Sequence, residues 1–268
     1  VKLAWITDPH LNFVPEQAKR FQFYDRIRAT AAEKVLISGD IGESSSALVL
    51  TAELGKRTNL PVLFVYGNHD YYGADIDYVR EETPRDERLV YLPMAGVVPL
   101  TELTCVVGQD GWGDGYAGHF MGSRVILADW VHIADFRVIN AVGDVEARLK
   151  KLRSLAAADA KMLEADLMTA VTKFRNIIVV THVPPFEDAT WHHGEKSEPH
   201  WLPWFTCQAI GNVLGRIACS FPTNQFTVLC GHTHGRGIFR PPLLPNLTVK
   251  TGAARYQYPS IEETLEVP

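Results

Sequence analysis

Five short apolar runs punctuate the chain: residues 2–7 (KLAWIT), 34–38 (KVLIS), 61–66 (PVLFVY), 176–181 (NIIVVT) and 226–230 (FTVLC). Each is rich in β-branched or aromatic residues and shows no polar alternation, which predicts strands covered on both faces. Helical spacing fills much of the interval. It covers residues 16–32 and 44–57 between the first three strands, and 207–220 before the last. It also covers 144–174, as one long helix or a broken pair, with Val145, Leu149, Leu152, Leu155, Leu163, Leu167 and Val171 forming the apolar stripe. Alternating strands and helices predict a layered α/β fold with helices packed on sheet. Two stretches break the pattern: 108–124 (GQDGWGDGYAGHFMGSR) and 184–204 (PPFEDATWHHGEKSEPHWLPW). Long irregular segments of this kind are commonly functional, and their aromatic content favours ordered lids over disordered tails. No repeat, low-complexity tract or linker divides residues 1–268, so one domain is expected, with these two loops as insertions.

Composition narrows the class. With 46% hydrophobic and 21% charged residues and a formal net charge of −5, the 268-residue chain is neither disordered nor coiled coil. The acidic balance argues against nucleic acid as a partner, since non-specific binding needs clustered Lys and Arg. No apolar run approaches the ~20 residues of a membrane span and no basic-then-apolar leader opens the sequence, so no membrane partner is expected and the cytoplasm is the expected compartment. Cys105, Cys207, Cys219 and Cys230 form no CxxC pair and read as reduced thiols. The oligomeric state is left open.

The residues that follow each strand carry the chemistry. KLAWIT leads into Asp8-Pro-His10, KVLIS into Gly39-Asp40, PVLFVY into Gly67-Asn68-His69-Asp70, NIIVVT into His182, and FTVLC into Gly231-His232-Thr-His234. Taken singly, each is a turn residue, a helix cap or a satisfied core histidine as readily as a ligand. Taken together, all five buried strands end in groups able to bind a metal, and ligands of α/β sheets sit beyond the carboxyl ends of the strands. Asp8, His10, Asp40, Asn68, His182, His232 and His234 supply four imidazoles, two carboxylates and one amide. That exceeds the three protein ligands usual for one ion with an open position, and suits two divalent ions ~3.5–4 Å apart sharing a carboxylate. Mixed N and O donors without thiolate suit Mn, Fe, Zn, Co or Ni. Two such ions against two carboxylates leave a charge of about +2, or about +1 with a bridging hydroxide, which attracts phosphate. The ions would also lower the pKa of that bridging water, supplying the nucleophile near neutral pH.

The series DPH…GD…GNHD…H…GHTH resembles the calcineurin-like metallophosphoesterase superfamily over residues 6 to 235, with every block present and in order. The resemblance implies a four-layer α/β/β/α sandwich with two central mixed β-sheets. It also implies one ion on Asp8, His10, Asp40 and His234, and a second on Asp40, Asn68, His182 and His232, with Asp40 bridging. His69, which is not a ligand in the family pattern, would serve as general acid toward the departing alkoxide. Asp70 would hold the His69 imidazole and stabilise its protonated form; its competing reading is a loop residue capping a helix near residues 74–82.

Departures from the pattern point to a branch. GDIGE lacks the Asp-Arg-Gly of Ser/Thr phosphoprotein phosphatases, whose GNHE is GNHD here. Glu43 stands where purple acid phosphatases place a ligand Tyr, and GNHD differs from the GNRD of lipid A precursor pyrophosphohydrolases. What remains is similar to the bacterial phosphodiesterase branch. The expected function is therefore a metal-dependent phosphodiesterase acting on a small organic phosphate. The alternatives are a phosphomonoesterase with the same site, a nuclease, or a non-catalytic scaffold. Substrate contacts are expected from the irregular loops and just past the last ligand: Trp112, Tyr116, His193 and Arg236.

Overall fold

The computed structural model describes residues 1–83 and 86–268. Along the chain run β1 (Lys2–Ile6), α1 (Gln17–Ala29), β2 (Lys34–Ser38), α2 (Ser45–Thr58), β3 (Val62–Val65), α3 (Ile76–Glu81), β4 (Leu89–Tyr91), α4 (Leu92–Ala95), β5 (Val98–Pro99) and β6 (Thr104–Gly108). After the first irregular loop come α5 (Asp129–His132), α6 (Ala134–Val142), α7 (Val145–Ala170) and β7 (Asn176–Val180). A small hairpin, β8 (Trp191–His192) and β9 (Glu195–Lys196), precedes α8 (Leu202–Phe205) and α9 (Gln208–Ser220). The chain finishes with β10 (Gln225–Cys230), β11 (Gly237–Phe239), β12 (Leu247–Thr251) and β13 (Glu263–Glu266).

Two mixed sheets result. In the first, β1, β2, β3 and β4 lie parallel in that order, and β13 closes the outer edge of β1 antiparallel, pairing Lys2 with Glu266. In the second, the order is β11-β12-β10-β7-β6-β5, parallel through its centre and antiparallel at both edges. Each central strand sends alternate side chains to different layers. Leu3, Trp5, Leu36, Leu63 and Val65 meet Val106, Ile178, Val180 and Leu229 in an apolar layer between the sheets. Ala4, Ile6, Val35, Ile37 and Phe64 turn the other way, into the core that includes the helices, as do Ile177, Val179 and Val228. Each fully buried aliphatic or aromatic side chain in such a layer stabilises the fold by roughly 1.5–3 kcal/mol. Burial on both faces is why the strands read as unbroken apolar runs. With α1 packed on α2 and α7 on α9, the architecture is the expected four-layer α/β/β/α sandwich.

Segment 145–170 is one continuous helix of 26 residues, opened by Asp144, whose side chain caps the Ala147 N–H at 3.0 Å. Among the described residues no helix is long and apolar enough to cross a membrane. The strands that the sequence pattern does not mark are β4, β5, β6, the β8–β9 hairpin and β11 to β13. β6 reads as TCVVG, too short and too polar at its start to stand out, although it is fully buried beside β7.

Candidate metal centre

All five ligand-bearing turns leave parallel strands at the same end of the two sheets, so they face one another across the crevice where the sheets meet. One contact that joins them is His182 Nδ1 to the Ser38 carbonyl, 2.9 Å, from the end of β7 in one sheet to β2 of the other. Asp8, His10 and Asp40 are buried and His234 is partly exposed, and one ligand atom from each lies within 4.8 Å of the others. A second cluster adjoins it. Asn68 Oδ1 is 3.1 Å from His182 Nε2 and 3.0 Å from His232 Nδ1, and those two nitrogens are 3.2 Å apart. Asp40 stands between the clusters, with Oδ2 3.7 Å from His10 Nε2 and Oδ1 3.4 Å from His182 Nε2.

The local backbone explains how side chains at strand ends turn back into the crevice. Asp8, His10, Asp40, His232 and His234 all have positive φ, between 41° and 67°. For residues with a β-carbon this is left-handed territory costing roughly 1–3 kcal/mol each, and it persists only where surrounding structure imposes it. The glycines of the motifs have a separate cause. A β-carbon at Gly67 would run into the Asp40 carboxylate, and one at Gly231 into the Asp8 carboxylate and the Thr7 hydroxyl.

The donor set fits divalent cations. His182 Nδ1 donates to the Ser38 carbonyl, which leaves Nε2 as the ring nitrogen turned toward the cradle. The Asn68 amide nitrogen donates to Asp129 Oδ1 (2.8 Å), which fixes the amide so that its oxygen faces the imidazoles. Asn68 Oδ1, His182 Nε2 and His232 Nδ1 therefore converge at 3.0–3.2 Å, three atoms of the kinds that ligate a divalent cation. The electrostatics are divided: burial opposes protonation of His234, but its hydrogen bond with Asp8 and the charges of Asp8 and Asp40 prevail and raise it. Burial, reinforced by the charge of Asp8, pushes Asp40 well above the usual carboxylate range. Burial also holds the His10 imidazole down to about 2 and His232 well below its ordinary value, so both rings are neutral as ligands must be. Burial opposes ionisation of Asp8, yet its hydrogen bond with His234 and the neighbouring imidazoles prevail and lower it.

His69 sits at the edge of this cradle. Its ring stacks on Tyr72 with centroids 4.3 Å apart, its Nε2 is 4.0 Å from Asp40 Oδ2, and its Nδ1 has no partner among the described residues. Burial pushes it down to about 4. Asp70 does not hold it, which corrects the role expected for that residue. Asp70 Oδ1 accepts the Ile41 and Gly42 N–H groups (2.9 and 2.8 Å) and Oδ2 accepts Gly67 N–H (2.8 Å). With both oxygens satisfied by backbone, Asp70 ties the Asp40 loop to the Asn68 loop and caps no helix.

A cleft of about 230 Å³ opens over the cradle, lined by Asp40, Asn68, His69, Tyr72, Leu127, Ala128, Asp129, His192, Phe205, His232, Thr233, His234 and Tyr256. None of the four residues expected to contact substrate lines it. Trp112 is 3% exposed and packs on Tyr71 and Phe136, because a large apolar ring gains more from the core than from a roof. Tyr116 is exposed on a separate hollow beside Pro185 and Phe186, under the Arg153 guanidinium. His193 occupies the outward turn of the β8–β9 hairpin, and its neighbour His192 faces the cleft, anchored through Nδ1 to the Thr233 carbonyl at 2.8 Å. Arg236 is paired with Glu262 (3.1 and 3.2 Å), which also accepts Ala253 N–H and so pins the C-terminal segment. Cleft-lining residues that the sequence pattern does not mark include Tyr72, Asp129, Phe205 and Tyr256. Tyr72 follows GNHD by two residues and was within reach of the motif; the others carry no sequence signal.

The calcineurin-like phosphoesterase family model matches residues 1–236. No curated protein matches the chain. Among solved structures, phosphopantetheinyl hydrolase from Mycobacterium tuberculosis aligns with 96% of this chain and 90% of its own, at 15% identity and TM-score 0.63. A dimetal phosphatase from Danio rerio aligns over 96% and 88%, at 14% identity and TM-score 0.59. A protein of Thermus thermophilus aligns over 94% and 88%, at 14% identity and TM-score 0.56. At these identities the likeness is one of fold. Since the family pattern runs through every strand-end turn that builds the cradle, the chain belongs to the calcineurin-like phosphoesterases.

Proposed function

We propose that the protein hydrolyses a phosphodiester bond in a small organic phosphate. Asp8, His10, Asp40 and His234 would hold one divalent ion, and Asp40, Asn68, His182 and His232 a second, with Mn, Fe or Zn all compatible with the donors. When bound, the ions supply Lewis acidity that activates water and neutralises phosphoryl charge. The chain's own part is to hold these neutral or anionic groups rigidly at strand ends, and to place His69 at the cleft wall. As general acid, His69 would donate a proton to the leaving oxygen, the step that a poor alkoxide leaving group needs. Since burial pushes the ring down to about 4, this role requires the negative charge of bound substrate to favour its protonated form. Tyr72, stacked on it, keeps the ring in one orientation.

The observation that carries the choice of a diester is the lining of the cleft. Among the described residues it contains no Lys or Arg, and Arg236 is spent on Glu262. A monoester dianion brings one more negative charge than a diester and calls for an extra cation. A diester brings a single charge and a second organic arm, for which Tyr72, Phe205 and Tyr256 offer flat apolar faces. The test is hydrolysis of a chromogenic phosphodiester beside the matching monoester, in manganese, with His69→Ala as control. Diester cleavage that His69→Ala abolishes supports the reading. Preference for the monoester moves the assignment to a phosphatase, and no turnover on either with metal bound moves it to a scaffold.

A further inference from the structure

Asp129 is a buried carboxylate in the cleft wall that the proposed reaction does not use. It is 6% exposed and enters from α5, a short helix beyond the first irregular loop and outside both sheets. Its Oδ1 accepts two hydrogen bonds, from Asn68 Nδ2 at 2.8 Å and from the Tyr72 hydroxyl at 2.7 Å. The Tyr72 oxygen in turn lies 3.3 Å from Asn68 Nδ2. Three groups thus close a small ring of hydrogen bonds behind the cradle. One member presents its amide oxygen to His182 and His232, and another stacks on His69.

We infer that Asp129 is a positioning residue that selects which end of the Asn68 amide faces the second metal position and, through Tyr72, holds the His69 ring. An asparagine amide is nearly symmetric in shape, so packing alone does not decide whether oxygen or nitrogen points at the imidazoles. An acceptor-only group behind it does decide, because the NH₂ end must turn toward the carboxylate. Without that anchor the amide can rotate, presenting N–H donors where lone pairs are required. The inference rests on the two-ion reading above.

Titration of metal-free protein with Mn²⁺, followed by calorimetry or by the electron paramagnetic resonance of free Mn²⁺, separates the possibilities. Asn68→Ala identifies the class of site that depends on the amide. Asp129→Ala is expected to weaken that class by ~10–100-fold, the usual cost of losing an outer hydrogen-bond partner, and to leave the other within a few-fold of the unchanged protein. Asp129→Asn keeps an acceptor oxygen and should recover most of the loss; Tyr72→Phe should weaken the same class less than Asp129→Ala does. Equal weakening of both classes, together with a lowered unfolding temperature of the metal-free protein, would mean a merely structural role and overturn the inference. So would an unchanged second class in Asp129→Ala. Unchanged protein that binds fewer than two ions overturns the two-ion reading itself, an outcome distinct from the other two.

Discussion

In the half of the cradle formed by Asp8, His10 and His234, all three side chains leave a backbone in the left-handed region. In the half formed by Asn68, His182 and His232, only His232 does so, and Asn68 has an ordinary helical φ of −63°. The second half is aimed instead by hydrogen bonds: His182 by the Ser38 carbonyl, Asn68 by Asp129 and Tyr72. One half is therefore fixed by main-chain conformation imposed at strand ends, the other by polar partners that belong to neighbouring elements. Asp40 belongs to both, with a left-handed backbone and a carboxylate that also accepts the His69 N–H at 2.9 Å. A cradle built this way should fail in two separable manners.

The largest effect is expected where the halves share a residue. Asp40→Asn should abolish binding at both positions and reduce turnover by more than about 10³-fold, since removing even one charge-stabilising donor from an active site costs about 10²–10³. Elemental analysis beside activity checks this, and a variant that retains one tightly held ion would show the halves to be independent of Asp40. His69→Ala should retain both ions and lose ~10²–10⁴ in turnover, most on substrates with poor leaving groups. If it loses metal as Asp40→Asn does, His69 is part of the cradle and not an acid beside it. Gly231→Ala probes the half fixed by main chain, because its new β-carbon meets the Asp8 carboxylate. Binding at the Asp8 position should weaken by about 10-fold or more while the class that depends on Asn68 survives, in contrast to Asp129→Ala.

The smallest effect is a control outside both halves. Arg20 clasps Glu53 through two hydrogen bonds of 2.7 and 3.0 Å, and Tyr24 adds a third of 3.0 Å. The Arg20 bonds lead in holding the Glu53 carboxyl down at about 2, against an ordinary 4.5. A depressed carboxyl contributes stability that is complete above the unfolded value and is lost as pH falls through the folded one. Glu53→Gln should thus cost about 1 kcal/mol at neutral pH, solvent screening included. The difference should vanish as pH drops from about 4.5 toward 2 in denaturant titrations, with both metal positions untouched.

What the sequence disclosed follows the same division. The half fixed by main chain is written in motifs, because each sharp turn at a strand end carries its ligands two positions apart, Asp8 with His10 and His232 with His234. The ligands of the other half are legible too, but the groups that aim them are not. Asp129 precedes no recognisable pattern, and only folding brings it 2.8 Å from an amide 61 residues earlier. Trp112 and Asp70 misled in opposite ways. An aromatic in a glycine-rich loop read as a roof and proved to be core, while an acid beside a histidine read as its partner and proved to be a backbone tie between two loops. Residue type and spacing foretell which groups reach the crevice. They do not foretell which hydrogen bond a buried carboxylate chooses among several donors.

The cradle also spans the chain. His10 meets His234 across 224 positions, Asn68 meets His232 across 164, and β13 supplies the edge of the first sheet by pairing residues 263–266 with β1. On a ribosome that releases the polypeptide from its amino end, residues 8, 10, 40 and 68 emerge long before the histidines that complete their sites. A nascent chain accordingly offers scattered pairs of donors, too few to retain a divalent ion. Metal capture must wait until His232 and His234 have emerged and the two sheets close on each other. Since affinities for competing first-row metals follow a common order, the ion such a cradle takes up would depend on which metal is abundant where that closure happens, as well as on the geometry and donors of the cradle.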